Sequence, residues 1–209
     1  MRYSILFFVF LSFVPVFAEK APEWKLVENS KKIKLYTREK GEEGIKEVKA
    51  TATISGTVDE ALEVLFDRNN HPKIFKYIKF SDQMKRTANC DWSYNIIDAP
   101  MASDRDYLVK SCKVNAKDGS TFLKWEPFED AKYPENKKKV RVLINKGYWK
   151  FTQVKPDELQ VNYYIYTDPA GQLPLWIKNV ANKKAVPDAI FTVEKEIEKR
   201  RKAKAKKEK

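Results

Sequence analysis

Six strand-like segments follow one another between residues 79 and 167, and this run constrains the fold more than any other feature. Apolar and polar residues tend to alternate in them, which is the period of a half-buried strand. The segments are 79–86, 90–97, 105–115, 120–126, 139–154 and 158–167. We expect the fifth to break at Gly147. Because most of the connections are short, we predict an antiparallel meander.

Two further strands and several helical segments flank this run. After a short lead-in around Trp24, strands are predicted at 33–37 and 48–54. Thr57 and Glu60 form a capping-box pattern that opens an amphipathic helix, and a shorter helical stretch follows near His71. A long final helix begins near Pro174, and Pro187 should kink or interrupt it. This order predicts an α+β domain with a curved antiparallel sheet and helices on one side.

The first eighteen residues have the pattern of a signal peptide. Arg2 provides a positive start, residues 5–13 are almost entirely apolar, and Ala18 precedes a cleavage site. We therefore expect an exported protein, with the periplasm favoured over full secretion. An uncleaved N-terminal anchor is the alternative. The remainder divides into one domain over residues 19–200 and a basic tail over residues 201–209.

The chain carries a net charge of +12, and much of it lies at the C-terminus. From Glu194 onward nine Lys or Arg accompany four Glu, a net charge of +5. The tail is either the solvated end of a helix or a site of attraction to an anionic membrane surface. Because export is expected, nucleic acid is not a predicted partner, and we expect a monomer.

Two cysteines remain after the signal segment, Cys90 and Cys112. If segments 90–97 and 105–112 form a hairpin centred on Met101, the two cysteines lie directly opposite each other, close enough to form a disulfide. A bulge in the turn would shift this register and leave both thiols free. An oxidising compartment favours the disulfide, but the sequence leaves both states open.

Residues 168–179, DPAGQLPLWIKN, are the most specific segment of the chain. They resemble the junction that leads into the last helix of START (StAR-related lipid-transfer) domains. Residues 103–109, SDRDYLV, are similar to a strand of the same family, and residues 140–142 and 147–149 give a weaker match. The order of elements agrees over roughly residues 24–200. The chain therefore resembles a START domain of bacterial type, within the helix-grip superfamily.

This resemblance implies a curved sheet wrapped around the C-terminal helix, with an apolar tunnel for a lipid or sterol-like ligand. In several members an arginine inside the tunnel pairs with an acid on a neighbouring strand. Arg105 matches that arginine and Asp98 is the candidate acid, while a surface pair of Arg105 with Asp104 or Asp106 is the alternative. The residues assigned to ligand binding are Arg105, Asp98, Tyr107, Tyr164, Trp176, Ile177, Val180, Ile190 and Val193.

The sequence offers little for catalysis. His71 is the one histidine, and its place beside Pro72 indicates a structural role. No G-x-S-x-G, phosphate-loop or metal-ligand spacing is present in the sequence. We therefore predict a non-enzymatic lipid-binding protein that has no cofactor. Transfer of the bound lipid between membranes is the further role that we expect. The alternatives are a cyclase or aromatase-like enzyme that uses the same cavity, and an envelope interaction protein that acts through the basic tail.

Overall fold

The computed structural model describes residues 22–40, 44–99, 102–135 and 137–208, without the side chains of residues 176, 177 and 180–182. The strands are β1 (Lys25–Asn29), β2 (Ile33–Lys40), β3 (Ile45–Ser55), β4 (Ile78–Arg86), β5 (Cys90–Ile97), β6 (Arg105–Asn115), β7 (Thr121–Pro127), β8 (Val140–Arg141), β9 (Ile144–Lys155) and β10 (Glu158–Asp168). The helices are α1 (Val58–Phe66), a 3₁₀ turn (Arg68–Asn70), α2 (His71–Ile74) and α3 (Leu175–Lys207).

The strands form one antiparallel sheet in the order β1-β2-β3-β10-β9-β7-β6-β5-β4, and the short β8 pairs in parallel with β6. Hairpins generate most of this order, as short connections require. The helical segment α1–α2 carries the chain from β3, inside the sheet, to β4 at the far edge. The predicted α+β class and the meander are therefore confirmed.

Strands β5 and β6 have the predicted bounds, and the hairpin between them has the predicted register. Cys90 lies opposite Cys112, and the two form a disulfide. No bulge interrupts this strand pair in the described residues. The register deduced from the midpoint of the two cysteines is therefore confirmed.

One strand was not predicted, and one local prediction was wrong. The lead-in around Trp24 is followed by strand β1. Gly147 does not break its strand: β9 is continuous through it, and the interruption lies at residues 142–143. The reason is close packing, because a Cβ at Gly147 would lie 2.1 Å from the carbonyl oxygen of Tyr164 and 2.6 Å from the ring of Trp125. The glycine thus allows Tyr164 and Trp125 to approach the backbone of β9 closely, and it does not form a turn.

Helix α1 begins as its capping box predicts. The Glu60 amide donates to the Thr57 hydroxyl at 3.3 Å, and the Thr57 amide donates to the Glu60 carboxylate at 2.9 Å. These bonds satisfy backbone donors that a helix start otherwise leaves free. The apolar face of α1 then packs against α3 and the sheet.

Helix α3 packs along the inner face of the sheet, mainly on β3. The facing residues of β3 include Ala50 and Ala52, whose small side chains let the helix approach closely. Pro187 lies inside α3 and does not end it. A proline in a helix interior costs about 3 kcal/mol, and the buried residues on either side of it, Val186 and Ile190, offset that cost through packing.

The start of the basic tail, predicted at residue 201, lies within helix α3. Arg201, assigned to the tail from sequence, donates to the carboxylates of Glu60 and Asp157 at 2.6 Å. It therefore joins the end of α3 to the folded domain, and helix α3 continues to Lys207. Among the described residues, no helix has the length and apolar character needed to cross a membrane.

Candidate functional site

A cavity of about 490 Å³ lies between the inner face of the sheet, helix α2 and helix α3. Along β6 its wall is formed by alternate residues, Arg105, Tyr107, Val109 and Ser111. Side chains two residues apart share a face of a strand, so this set marks the inward side. Six residue steps in a strand span about 20 Å, so the cavity is elongated along β6.

Most of the cavity wall is apolar. Its sheet side includes Leu123 and Trp149, its helical side includes Phe75 and Val186, and all four also belong to or pack on the main core. An apolar wall with a few polar groups is the usual composition of a small-molecule site.

Arg105 lies at one end of the cavity, and only 4% of it is exposed. Its guanidinium donates to backbone carbonyls: those of Ser103, Pro169 at 3.2 Å and Ala170 at 3.4 Å. The two segments that resemble START sequences thus meet at this side chain. No carboxylate of the described residues forms an ion pair with it, and desolvation lowers its pKa. The positive charge is therefore held beside the cavity by dipoles alone.

The predicted pair between Arg105 and Asp98 is not formed. Asp98 lines the cavity, but its carboxylate lies 3.2 Å from the ammonium group of Lys79. It follows the last residue of β5, where register no longer directs its side chain toward Arg105. The surface alternatives fail as well, because Asp104 binds Lys79. Asp106 instead accepts two hydrogen bonds from Arg141.

A buried acid–arginine pair does lie beside the cavity, but it uses other residues, and of the two only Arg68 lines the wall. Arg68, in the 3₁₀ turn, donates to the Asp91 carboxylate at 2.6 and 3.1 Å and to the Ser111 hydroxyl at 2.7 Å. The side chain of Asp91 is fully buried. Asp91 lies opposite Ser111 in the β5–β6 register, so both face inward. The charge of Arg68 is therefore compensated by direct contact with a carboxylate, whereas that of Arg105 is not.

Sequence reasoning missed this pair although a signal existed. The register that places Cys90 opposite Cys112 also places Asp91 opposite Ser111, on the face that becomes buried. A buried carboxylate requires a partner, so Asp91 predicts a nearby cation. The identity of that cation could not be read, because Arg68 comes from a turn distant in sequence.

Two tyrosines face the interior from the sheet, Tyr107 and Tyr163. Burial raises the pKa of both hydroxyls, so each stays protonated in neutral solution. Neither hydroxyl forms a hydrogen bond to another described residue. Each is thus a donor and acceptor that a molecule in the cavity can use.

Tyr164, predicted to face the tunnel, points to the opposite side of the sheet. Its hydroxyl donates to Glu47, and its ring stacks on Tyr148 at a centroid distance of 5.3 Å. Strand alternation is the cause, since Tyr163 pairs with the inward-facing Trp149 and its neighbour must face outward. The prediction chose the wrong member of an adjacent pair.

His71 forms part of the cavity wall and is almost fully buried. Its Nε2 lies 3.3 Å from the carbonyl oxygen of Val64, and its ring meets that of Phe75 edge to face at 4.9 Å. Burial and the neighbouring charge of Arg68 lower its pKa to about 3. The imidazole is therefore neutral in neutral solution, which agrees with a structural role.

The predicted residues of α3 divide into two groups. Ile190 and Val193 are fully buried in the core and lie outside the cavity wall, which Val186 and Ala189 provide instead. The remaining three, Trp176, Ile177 and Val180, have side chains outside the described residues. Helical spacing identified the buried face of α3, but it could not show which residues of that face line the cavity.

An open antiparallel sheet with a cavity beneath a long C-terminal helix is the fold of START domains, as the sequence predicted. The STAR-related lipid transfer protein of Xanthomonas axonopodis has a TM-score of 0.76 at 24% identity, over 84% of this chain and 98% of that one. Human STARD10 has a TM-score of 0.78 at 19% identity, over 88% and 76%. Human StAR-related lipid transfer protein 5 gives 0.75 at 16% identity, over 84% and 86%.

Sequence comparison adds one relative. An uncharacterised protein of Pseudomonas aeruginosa is 28% identical over 169 residues, which is 76% of this chain and 79% of the relative. No family model matches the sequence. The comparisons therefore establish the START helix-grip fold, and the function must be argued from the cavity itself.

Proposed function

We propose that this protein binds one lipid-like molecule in the cavity, with a polar or anionic group of that molecule at Arg105. The observation that carries the proposal is a buried arginine without a carboxylate partner among the described residues, at one end of an apolar cavity of about 490 Å³. That volume lies within the range of small-molecule sites.

Two physical effects favour such a ligand. Burying its apolar surface contributes about 25 cal/mol per Å². An anionic or strongly accepting group beside Arg105 would compensate the charge that desolvation now penalises. The ligand would therefore be amphipathic, with its head at Arg105 and its tail along β6 toward Tyr107 and Val109.

We further propose that the ligand is carried between membranes by an exported protein. The signal-peptide pattern of residues 1–18 supports export. Two of the structural neighbours are described as lipid transfer proteins, which supports the same role by analogy of fold. Entry of the ligand would require movement of α3 or of the loops beside Arg105.

Two ionisable groups of the described cavity wall, His71 and Tyr107, favour binding over catalysis. The pKa of His71 is lowered to about 3 and that of Tyr107 is raised, so neither exchanges protons readily in neutral solution. A general acid or base works best when its pKa lies near the operating pH. The proposal therefore has no catalytic step.

Native mass spectrometry of the protein from its own host, followed by organic extraction, tests the binding proposal. We expect one stoichiometric lipid class that is released on denaturation. In Ala189→Phe the new ring enters the cavity from α3, so bound lipid should be lost. Ala203→Phe adds the same ring at an exposed position of α3 and should retain the lipid. Equal lipid content in both variants would contradict the assigned site.

The role of Arg105 needs a separate test with defined ligands. Arg105→Gln keeps hydrogen-bond donors but removes the charge, and a hydrogen bond to a charged group is worth about 1.5–3 kcal/mol. Affinity for a long-chain carboxylate should fall roughly tenfold or more, while affinity for the matching alcohol changes little. An equal fall for both ligands would show that Arg105 only supports the fold.

A further inference from the structure

The sheet has a second surface, formed by the strand residues that point away from the cavity and α3. We call it the outer face. Several of its lysines lie over aromatic rings: Lys49 over Trp24 and Tyr36, Lys85 and Lys110 over Trp92, Lys124 and Lys150 over Phe122, and Lys146 over Tyr166. The ammonium-to-centroid distances of these contacts run from 4.4 to 5.9 Å. Aromatic rings thus hold cations on this surface.

Much of this charge is not neutralised within the described chain. Some outer-face cations have acidic partners, since Glu47 binds Arg38 and Lys40, and Asp118 binds Lys150. Five others form no ion pair with a described carboxylate: Lys49, Lys85, Lys110, Lys124 and Lys146. Glu126, opposite Lys110 in the β6–β7 register, offsets one of these five charges. The remaining excess gives the outer face a positive potential that attracts anions.

The five cations are spread in two dimensions. They lie on β3, β4, β6, β7 and β9, and β3 is separated from β4 by six strand intervals. At about 4.8 Å per interval the charges extend across nearly 30 Å of the sheet. A polymer would require cations aligned along a groove, as single-stranded nucleic acid does. A dispersed set instead matches a partner that is itself an extended charged surface.

We propose that the outer face adsorbs the protein onto an anionic lipid bilayer. Lysines near such a surface gain electrostatic energy, and Trp and Tyr rings are the side chains enriched where protein meets lipid head groups. In this orientation α3 and the cavity face away from that bilayer. The inference is independent of what the cavity binds, so either one can fail without the other.

Vesicle binding tests the assignment. The triple variant Lys110→Gln, Lys124→Gln and Lys146→Gln removes three unpaired outer-face charges. Each lysine contributes about fivefold to binding at an anionic surface, so affinity for vesicles containing phosphatidylglycerol should fall about a hundredfold. Vesicles of pure phosphatidylcholine should bind neither protein.

A matched control removes the same charge from the tail, in Lys202→Gln, Lys204→Gln and Lys206→Gln, all exposed in α3. This variant should keep most of its vesicle affinity. A loss equal to or greater than that of the outer-face variant would overturn the proposal, since net charge or the tail would then drive adsorption. Stronger binding to single-stranded polyanion than to anionic vesicles would overturn it in favour of a polymer partner.

Lysine footprinting of the unmodified protein gives an answer that does not depend on a variant. Acetylation of Lys110, Lys124 and Lys146 should slow when anionic vesicles are added, while Lys204 and Lys206 should react as before. Protection of the tail lysines alone, or of none, would refute the outer face as the contact surface.

Discussion

Replacing Asp91 by Asn should destabilise the protein strongly, because it leaves the charge of Arg68 without a partner. The Asp91 side chain is fully buried and that of Arg68 is 12% exposed. Removing one partner of a buried ion pair typically costs 3–5 kcal/mol. Because Arg68 keeps its hydrogen bond to Ser111 and a little exposure, we expect the lower end, about 3 kcal/mol. That is a large share of the stability of an ordinary domain.

Removing the whole group should cost far less than removing one member. The triple variant Arg68→Met, Asp91→Leu and Ser111→Ala replaces the charges and the hydroxyl by apolar groups. Substitutions of this kind are often neutral, so we expect a free energy of unfolding within about 1 kcal/mol of the parent protein. Asp157→Asn, which disturbs a solvent-exposed pair with Arg201, should also cost no more than about 1 kcal/mol.

Urea unfolding at neutral pH, followed by tryptophan fluorescence, measures all three differences. The reasoning rests on Arg68 being poorly hydrated although it lines the cavity. If Asp91→Asn is as stable as Asp157→Asn, water in the cavity must solvate the arginine. The Arg68–Asp91 ion pair would then contribute no more to stability than a solvent-exposed pair. The burial of the Asp91 carboxylate would need a different explanation.

Three further predictions concern the sheet. Reducing the Cys90–Cys112 bond, whose cysteines are 22 residues apart, should lower the free energy of unfolding by about 3 kcal/mol, measured in urea with and without reductant. Burial raises the pKa of Glu47, but bonds from Lys40 and Tyr164 outweigh it and the net shift is downward from 4.5. Its stabilisation is present above that value and lost below it, so Glu47→Gln should show a shallower loss of stability in acid titration. Gly147→Ala should cost about 1–3 kcal/mol in urea unfolding, since its Cβ has no room.

The sequence predicted what strand alternation and short connections determine. The bounds of β5 and β6, the antiparallel meander and the pairing of Cys90 with Cys112 all follow from local pattern and hairpin geometry. The capping box at Thr57 and Glu60 is equally local. These features need no knowledge of distant parts of the chain.

What the sequence could not provide depends on contacts between distant segments. Arg68 reaches Asp91 from a turn, and Arg105 is held by carbonyls of the loop after β10. Tyr163 and Tyr164 are adjacent residues of the same type, so their side chains do not tell which one faces inward. Only the pairing of β10 with β3 and β9 decides that it is Tyr163. Similarly, the sequence alone suggests a turn at Gly147. The reason for a glycine there is the ring of Trp125, which packs against its backbone in the folded protein.

The disulfide connects the two proposed surfaces through strand register. In β6 the inward residues, including Arg105, line the cavity, while Lys110 on the opposite parity lies over Trp92 on the outer face. A slip of one residue would exchange these faces and turn Arg105 outward. Because Cys90 and Cys112 fix the β5–β6 register covalently, the bond keeps Arg105 at the cavity and Lys110 on the outer face. The disulfide therefore acts on specificity as well as on stability, since the same register positions both sites.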